Sequence, residues 1–257
     1  MNFFQTWIAY QTIVRKEITR FSRIWTQTLL PPVMTQTLYF LIFGKFIGSQ
    51  IRDINGISYM AFIVPGLVMM SVINASFTNV VSSFYSSKFQ RSVEELMVSP
   101  TPNWVIIAGY VTGGVLRGLI VGSLVFTVSM IFTHPTIYHF GIIVLFIFLT
   151  SVVFALGGMV NAIFAKSFDD ISIFPMFVIT PLTYLGGVFY SIKSLPPFWQ
   201  NISQLNPILY LINGFRYGFY GFSDVSVVIS FVMLVLCAGV LLKLNAYLMK
   251  KGIGLKS

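Results

Sequence analysis

Glu94 and Glu95 stand side by side in Phe89-Gln-Arg-Ser-Val-Glu-Glu-Leu-Met-Val-Ser-Pro100, a polar island between two long apolar runs. Phe89, Val93, Leu96 and Met97 recur at helical spacing, which leaves Gln90, Arg91, Glu94 and Glu95 on another face. A short helix of this kind can lie along a membrane and present its charged face to a soluble partner. The plainer alternative is a loop whose charges are simply solvated. Arg117 is the other residue that asks for chemistry, because it lies inside an apolar run. If a helix starts near Asn103, Arg117 is about 21 Å along it at 1.5 Å per residue. A cation there must face protein, water or a headgroup. It either lines a path or grips an anionic lipid, or it pairs with Asp169 or Asp170.

Nothing in the chain supplies its own energy. It has no G-x-x-x-x-G-K-[ST] run, so no phosphate-cradling loop for ATP is expected. G-x-S-x-G and H-E-x-x-H are also absent, which removes two common hydrolytic arrangements. Glu17, Asp53, Glu94, Glu95, Asp169, Asp170 and Asp224 all fall at or outside the ends of the apolar runs. A proton-coupled carrier or an intramembrane enzyme needs ionisable groups inside. His134 and His139 flank Pro135 without nearby carboxylates, so no metal site is expected. Cys237 is alone, which excludes an internal disulfide. The chain therefore reads as no enzyme, with no cofactor and no metal of its own. A secondary carrier or channel without an ATPase partner stays open, since backbone-coordinated Na⁺ would need no acid.

The elements that carry these residues belong to a bilayer. Of 257 residues, 56% are hydrophobic, 16% aromatic and 9% charged; the mean hydropathy is +0.84. A soluble domain carries roughly 25% charged residues. The net charge of +9 does not indicate nucleic acid, because the cations sit at the ends of apolar runs, as at a membrane face. Six runs are long enough to span: Leu29–Gly48, Tyr59–Val81, Trp104–Phe132, Phe140–Ala165, Ile171–Tyr190 and Val225–Tyr247. Each meets or approaches the roughly 20 apolar residues that a hydrocarbon core of about 30 Å requires. Spans of this kind must be helices, because lipid offers the backbone no partners. The first run follows a long basic leader, so it is expected to stay as an anchor rather than act as a cleaved signal.

Lys and Arg set the orientation. Arg15, Lys16, Arg20, Arg23, Lys88, Arg91, Lys166, Lys243, Lys250, Lys251 and Lys256 fall on one side if six spans alternate. Lys45, Arg52, Lys193 and Arg216 fall on the other. The positive-inside rule puts both termini in the cytoplasm. Before the first span, residues 1–26 read as an amphipathic helix, with Phe3, Trp7, Tyr10, Val14, Ile18, Phe21 and Trp25 recurring every three or four positions. It is expected in the membrane interface with its cations toward lipid headgroups; packing on the rest of the protein is the alternative. Residues 192–221 read as two short half-helices in the outer leaflet. Pro196, Pro197, Trp199 and Arg216 lie in this segment, and Asn206-Pro207 supplies an N-cap and a first-turn proline. Pro31-Pro32, Pro65-Gly66, Pro175, Pro181 and Gly186-Gly187 interrupt the spans, as hinges or as static kinks.

Several motifs together resemble the ABC-2-type permease family. Glu94-Glu95-Leu96-Met97-Val98-Ser99-Pro100 is similar to the family's E-L-L-x-x-P pattern after the second span. Leu185-Gly-Gly-Val-Phe-Tyr190, Leu195-Pro-Pro197, Gln204-Leu-Asn-Pro207 and Gly214-Phe-Arg216 are similar to its C-terminal signature in order and spacing. Phe62-Ile-Val-Pro-Gly66, Phe168-Asp-Asp170 and Thr180-Pro-Leu-Thr-Tyr-Leu-Gly-Gly187 resemble the family's bacterial inner-membrane permeases. The resemblance covers essentially the whole chain as one domain. It implies an all-α integral membrane protein with six transmembrane helices, an N-terminal interfacial helix and two short re-entrant outer half-helices. Spans one to five would occupy residues 27–191, and the sixth span with its basic tail residues 224–257. The segment near 86–98 would be the coupling helix, with Phe89, Gln90, Arg91, Glu94, Glu95 and Leu96 touching the ATPase. The implied partners are a second copy of the chain, two ATP-binding-cassette ATPase subunits that bind ATP and Mg, and membrane lipids. The implied activity is export of a lipidic, glycan or amphipathic substrate.

Overall fold

The structure is a computed structural model, and it describes residues 2–51, 53–54 and 56–255. Arg52 and Lys256, both part of the charge asymmetry, lie outside the described residues. The described chain is helical, with no strand beyond an isolated bridge between Ile54 and Ile57. In order come α1 (Phe3–Arg23), α2 (Trp25–Thr28), α3 (Leu30–Tyr39), α4 (Tyr59–Phe89), α5 (Ser92–Val98), α6 (Asn103–Phe132) and α7 (Phe140–Phe164). Then follow α8 (Asp170–Phe174), α9 (Thr180–Leu185), α10 (Pro197–Gln204), α11 (Pro207–Tyr220) and α12 (Val227–Lys251).

Helix α4 is the axis of the molecule. Most of its residues are buried, and it packs against α6, α7 and α11. Lipid tails are as apolar as leucine, so spans associate through close packing rather than through exclusion of water. Small residues make that packing close here. A Cβ on Gly114 of α6 would lie 2.6 Å from Val80 Cγ2 and 3.0 Å from Ala155 Cβ. A Cβ on Gly158 of α7 would lie 2.6 Å from the Phe77 carbonyl oxygen. Helix α4 also runs eight residues past the expected limit at Val81. Ser83, Phe84, Tyr85 and Ser87 in that extension are buried by neighbouring helices, so the helix continues where hydropathy fades.

Among the described residues, four helices are long and apolar enough to cross a membrane: Tyr59–Phe89, Asn103–Phe132, Phe140–Phe164 and Val227–Lys251. The other two expected spans are broken. The first is α-helical only over Leu30–Tyr39, turns π-helical over Phe40–Ile47 and ends in a 3-10 turn, Gly48–Gln50. The fifth is the shorter helix Asp170–Leu185, about 24 Å at 1.5 Å per residue. It is π-helical over Pro175–Ile179. Proline is the physical reason in the fifth span, because its missing N–H forces neighbouring carbonyls to find other donors.

Helix α1 corrects a purely interfacial expectation. Ile13, Glu17 and Phe21 form a buried edge. That edge meets α6 where Gly109 and Gly113 leave room; a Cβ on either would come within 2.5 Å of Ile13 Cγ2 or Glu17 Cβ. Phe3, Phe4, Trp7 and Trp25 remain exposed. The two ends of the molecule are distinct. At one end α1 meets α4 through Lys16 and Ser87, 3.3 Å apart. There Lys88 Nζ donates to the Ile163 and Ala165 carbonyls at 2.7 and 2.8 Å. Gly254, beyond α12, packs on the Ile163 carbonyl. At the other end the Tyr138 and His139 amides donate to Gly218 O of α11.

Candidate functional site

The end that gathers α1 and the C-terminal ends of α4, α7 and α12 also holds the acidic segment. Helix α4 stops at Phe89, and the chain turns through Arg91, whose φ of 60° is left-handed. Helix α5 then carries Glu94 and Glu95 in its first turn, where the helix dipole favours acids. Val93 is the buried anchor, Leu96 and Met97 are half-buried, and Gln90, Arg91, Glu95 and Val98 are exposed. Phe89 was expected on the apolar face beside Val93. Instead it belongs to α4, is 67% exposed and stacks edge-on against Phe168 at 5.3 Å. The left-handed turn is the cause, since it breaks the helical register between Phe89 and Val93. A cavity of about 510 Å³ lies here, bounded by Lys88, Arg91, Glu94, Lys166 and Leu255 among others.

Beside it lies a buried polar cluster that sequence reasoning missed. Glu17, treated as a charge outside the spans, has no exposed surface. One carboxylate oxygen accepts from the Ser83 hydroxyl. The other accepts from Arg20 Nη2 at 3.2 Å and Asn79 Nδ2 at 3.4 Å. The same guanidinium nitrogen reaches the Asn79 carbonyl at 2.9 Å, and the Tyr110 hydroxyl donates to Ser87 at 2.9 Å. The available signal was the serine and asparagine face of α4, at Asn79, Ser83 and Ser87, which needs polar partners if buried.

Arg117 is buried and does not reach Asp169 or Asp170. Its Nη2 donates to the Thr28 carbonyl at 3.2 Å. Pro32 stands four residues after Thr28 and has no N–H to offer it. The Arg117 side chain therefore replaces a missing helical bond. Asp170 instead accepts from the Lys166 and Ser167 amides at 2.8 and 3.1 Å. The Lys166 N–H, foremost among several contacts, holds its carboxyl below the ordinary carboxylate range.

At the other end, Asn206 Oδ1 accepts the Ile208 amide at 3.0 Å, and Pro207 opens α11. Asn206 Nδ2 also donates to the Leu182 carbonyl at 2.6 Å. Pro196 precedes α10 and Pro197 begins it, with Trp199 half-exposed. Arg216 was counted among the outward cations, but it is fully buried. Its Nη2 donates to Gly187 O at 2.7 Å, and its guanidinium lies 4.0 Å from the Phe62 ring centroid. Helix α11 is thus a core element over most of its length rather than a surface cover. Asn206→Leu should lower stability by about 0.5–2 kcal/mol through the lost cap. Asn206→Asp keeps the cap oxygen but sets an acceptor against the Leu182 carbonyl, so it too should melt below the parent chain. Equal melting of Asn206→Leu and the parent chain would show the cap to be idle.

Residues 8–220 match the family described as ABC-2 type transporter. The chain belongs to that family. It is 56% identical over 251 residues, 98% of each chain, to a protein named inner membrane transport permease YadH from Escherichia coli strain K12. It is 26% identical to nodulation protein J of Neorhizobium galegae over 82% of this chain and 79% of that one. Nodulation protein J of Rhizobium meliloti strain 1021 is 23% identical over the same shares.

The family and the permease relative place the chain among transport membrane proteins. Among the described residues, no three His, Cys, Asp or Glu side chains gather where they could hold a metal ion. The exposed edge of α5 and Phe89 is displayed at the cation-rich end. Helices α10 and α11 lie at the opposite end of the same long helix, α4.

Proposed function

We propose that this chain is the membrane half of an ATP-driven exporter of a bacterial inner membrane. Two copies join two separate ATP-binding-cassette subunits, which hold ATP and Mg. Both termini and the α5 segment face the cytoplasm, where the ATPase docks. The observation that carries the reading is the place of α5. It is a short acid-bearing helix on the end of the buried axis α4, in a chain of the ABC-2 family. The cation-rich end supports the orientation through the positive-inside rule. The name of the Escherichia coli relative supports the inner membrane. The broad substrate class is lipidic, glycan or amphipathic. Movement between inward and outward states requires the nucleotide to bind the two states unequally.

The purified chain alone should hydrolyse no ATP. Co-expressed with its ATPase, it should elute as a complex with two copies of each subunit. Glu94→Lys combined with Glu95→Lys should keep membrane insertion and dimerisation but lose the ATPase or its coupled hydrolysis. A double variant that binds and couples normally would move the docking surface elsewhere. Hydrolysis by the isolated chain would end the half-transporter reading.

A further inference from the structure

A proline in a helical segment leaves the carbonyl four residues back without its backbone donor, and at three such prolines a side chain from another helix takes its place. In an α-helix the N–H of residue i reaches the C=O of residue i−4, and proline has no N–H. Pro32, Pro65 and Pro175 therefore vacate the carbonyls of Thr28, Ala61 and Ile171. Each of these takes a side-chain donor from another helix. Arg117 of α6 serves Thr28 at 3.2 Å, Tyr220 of α11 serves Ala61 at 2.7 Å, and Asn161 of α7 serves Ile171 at 3.3 Å. An unpaired carbonyl in apolar surroundings is costly, so each donor fixes its proline segment to a neighbour.

Pro65 is the most heavily engaged of the three prolines. Tyr220 and Arg216 stand one turn apart on α11. Tyr220 bonds α4 directly, while Arg216 lies over Phe62 of α4 and bonds Gly187 O. The Gly187–Val188 turn presses on α4 just past the proline; a Cβ on Gly66 would lie 2.8 Å from Val188 Cα. One outer helix thus grips both the proline segment and the turn seated on it. The other end of α4 leads to α5.

We propose that Tyr220 is a positioning residue of the transport cycle. By serving the carbonyl that Pro65 vacates, its hydroxyl joins α11 to α4, so that the outer helix and the span leading to α5 move as one. The cycle part rests on the half-transporter reading; the joint itself does not.

The test uses four full-length chains: the parent, Tyr220→Phe, Pro65→Ala and the double variant. Tyr220→Phe removes one oxygen and keeps the ring, so folding should survive. Pro65→Ala restores a backbone donor for Ala61. In the purified chain in lipid nanodiscs, Tyr220→Phe should speed amide exchange in residues 213–221 by about two- to tenfold, the range of one net hydrogen bond. In the Pro65→Ala background the same change should have little effect, because the carbonyl already has a donor. Effects that simply multiply would mean that the hydroxyl does not act through the vacated carbonyl, and the joint would be refuted. In the complex with the ATPase, ATP with vanadate should shift exchange in residues 213–221 of the parent. Tyr220→Phe should reduce that shift while leaving complex formation intact. An equal shift in both would refute the cycle role. If the parent forms no complex, the half-transporter reading and the cycle role fail together, and the nanodisc arm still decides the joint.

Discussion

Gly118→Val is expected to lower markedly the amount of folded protein recovered from the membrane. Gly118 lies on α6 where α4 and α7 come closest. A Cβ there would overlap the Ser76 hydroxyl and stand 2.8 Å from the Ser151 hydroxyl. The row continues at Gly122, where a Cβ would be 2.7 Å from Val72 Cγ2 and 2.8 Å from Ile147 Cδ1. Valine adds a whole branched side chain between three packed helices, so at least one must move away. Overpacking of a well-filled core typically costs about 1–3 kcal/mol and occasionally more. The upper end is expected here, because a displaced α6 also disturbs Gly114 and its contacts with α4 and α7. Gly141 is the control, since a Cβ there meets nothing within 4 Å. Gly141→Val should accumulate and elute as the parent does. If Gly118→Val does the same, the three-helix contact is not as described.

Glu17→Leu is expected to loosen α1 from the bundle. Leucine keeps bulk but removes the acceptor shared by Ser83, Asn79 and Arg20. Each buried donor left without a partner costs about 1–3 kcal/mol. Arg20 contributes less than a buried ion would, because its side chain is 28% exposed and water screens the pair. Glu17→Gln retains one acceptor oxygen and should fall between leucine and the parent. The measurements are thermal unfolding in detergent and tryptic cleavage after Arg23, which should accelerate as α1 detaches. Parent-like melting and cleavage of Glu17→Leu would show that the cluster does not hold the helix.

Hydropathy made four of the long apolar helices legible, because their apolar character persists despite Pro65 in one and Arg117 in another. It was less informative for the first and fifth expected spans, where prolines and π-helical turns change the geometry without changing the apolar count. The charge count separated the two ends of the molecule, but it gave no sign that Arg216 is buried. A cation next to Tyr217 and Tyr220 looks interfacial until Phe62 and the Gly187 carbonyl are seen around it. Glu17 was misread for a related reason. Its burial depends on Gly113, almost a hundred residues away, and no local pattern joins the two. The N-cap at Asn206 was readable because a cap is local: one oxygen, one amide and the proline between them. The split between Phe89 and α5 was not, because helical spacing bridges Arg91 as though its φ were ordinary.

The unbroken length of α4 has a mechanical consequence. From Pro65 to Phe89 the helix measures about 36 Å at 1.5 Å per residue, and most of it is encased by its neighbours. A stiff rod of that length amplifies small rotations at its pivot. A tilt of the whole helix by about 5° carries Phe89 sideways by about 3 Å relative to Pro65, given the same rise per residue. That displacement is close to the length of a hydrogen bond, enough to make or break one at the far tip. A slight change of angle at one end of α4 would thus become a change of hydrogen-bond partner at the other.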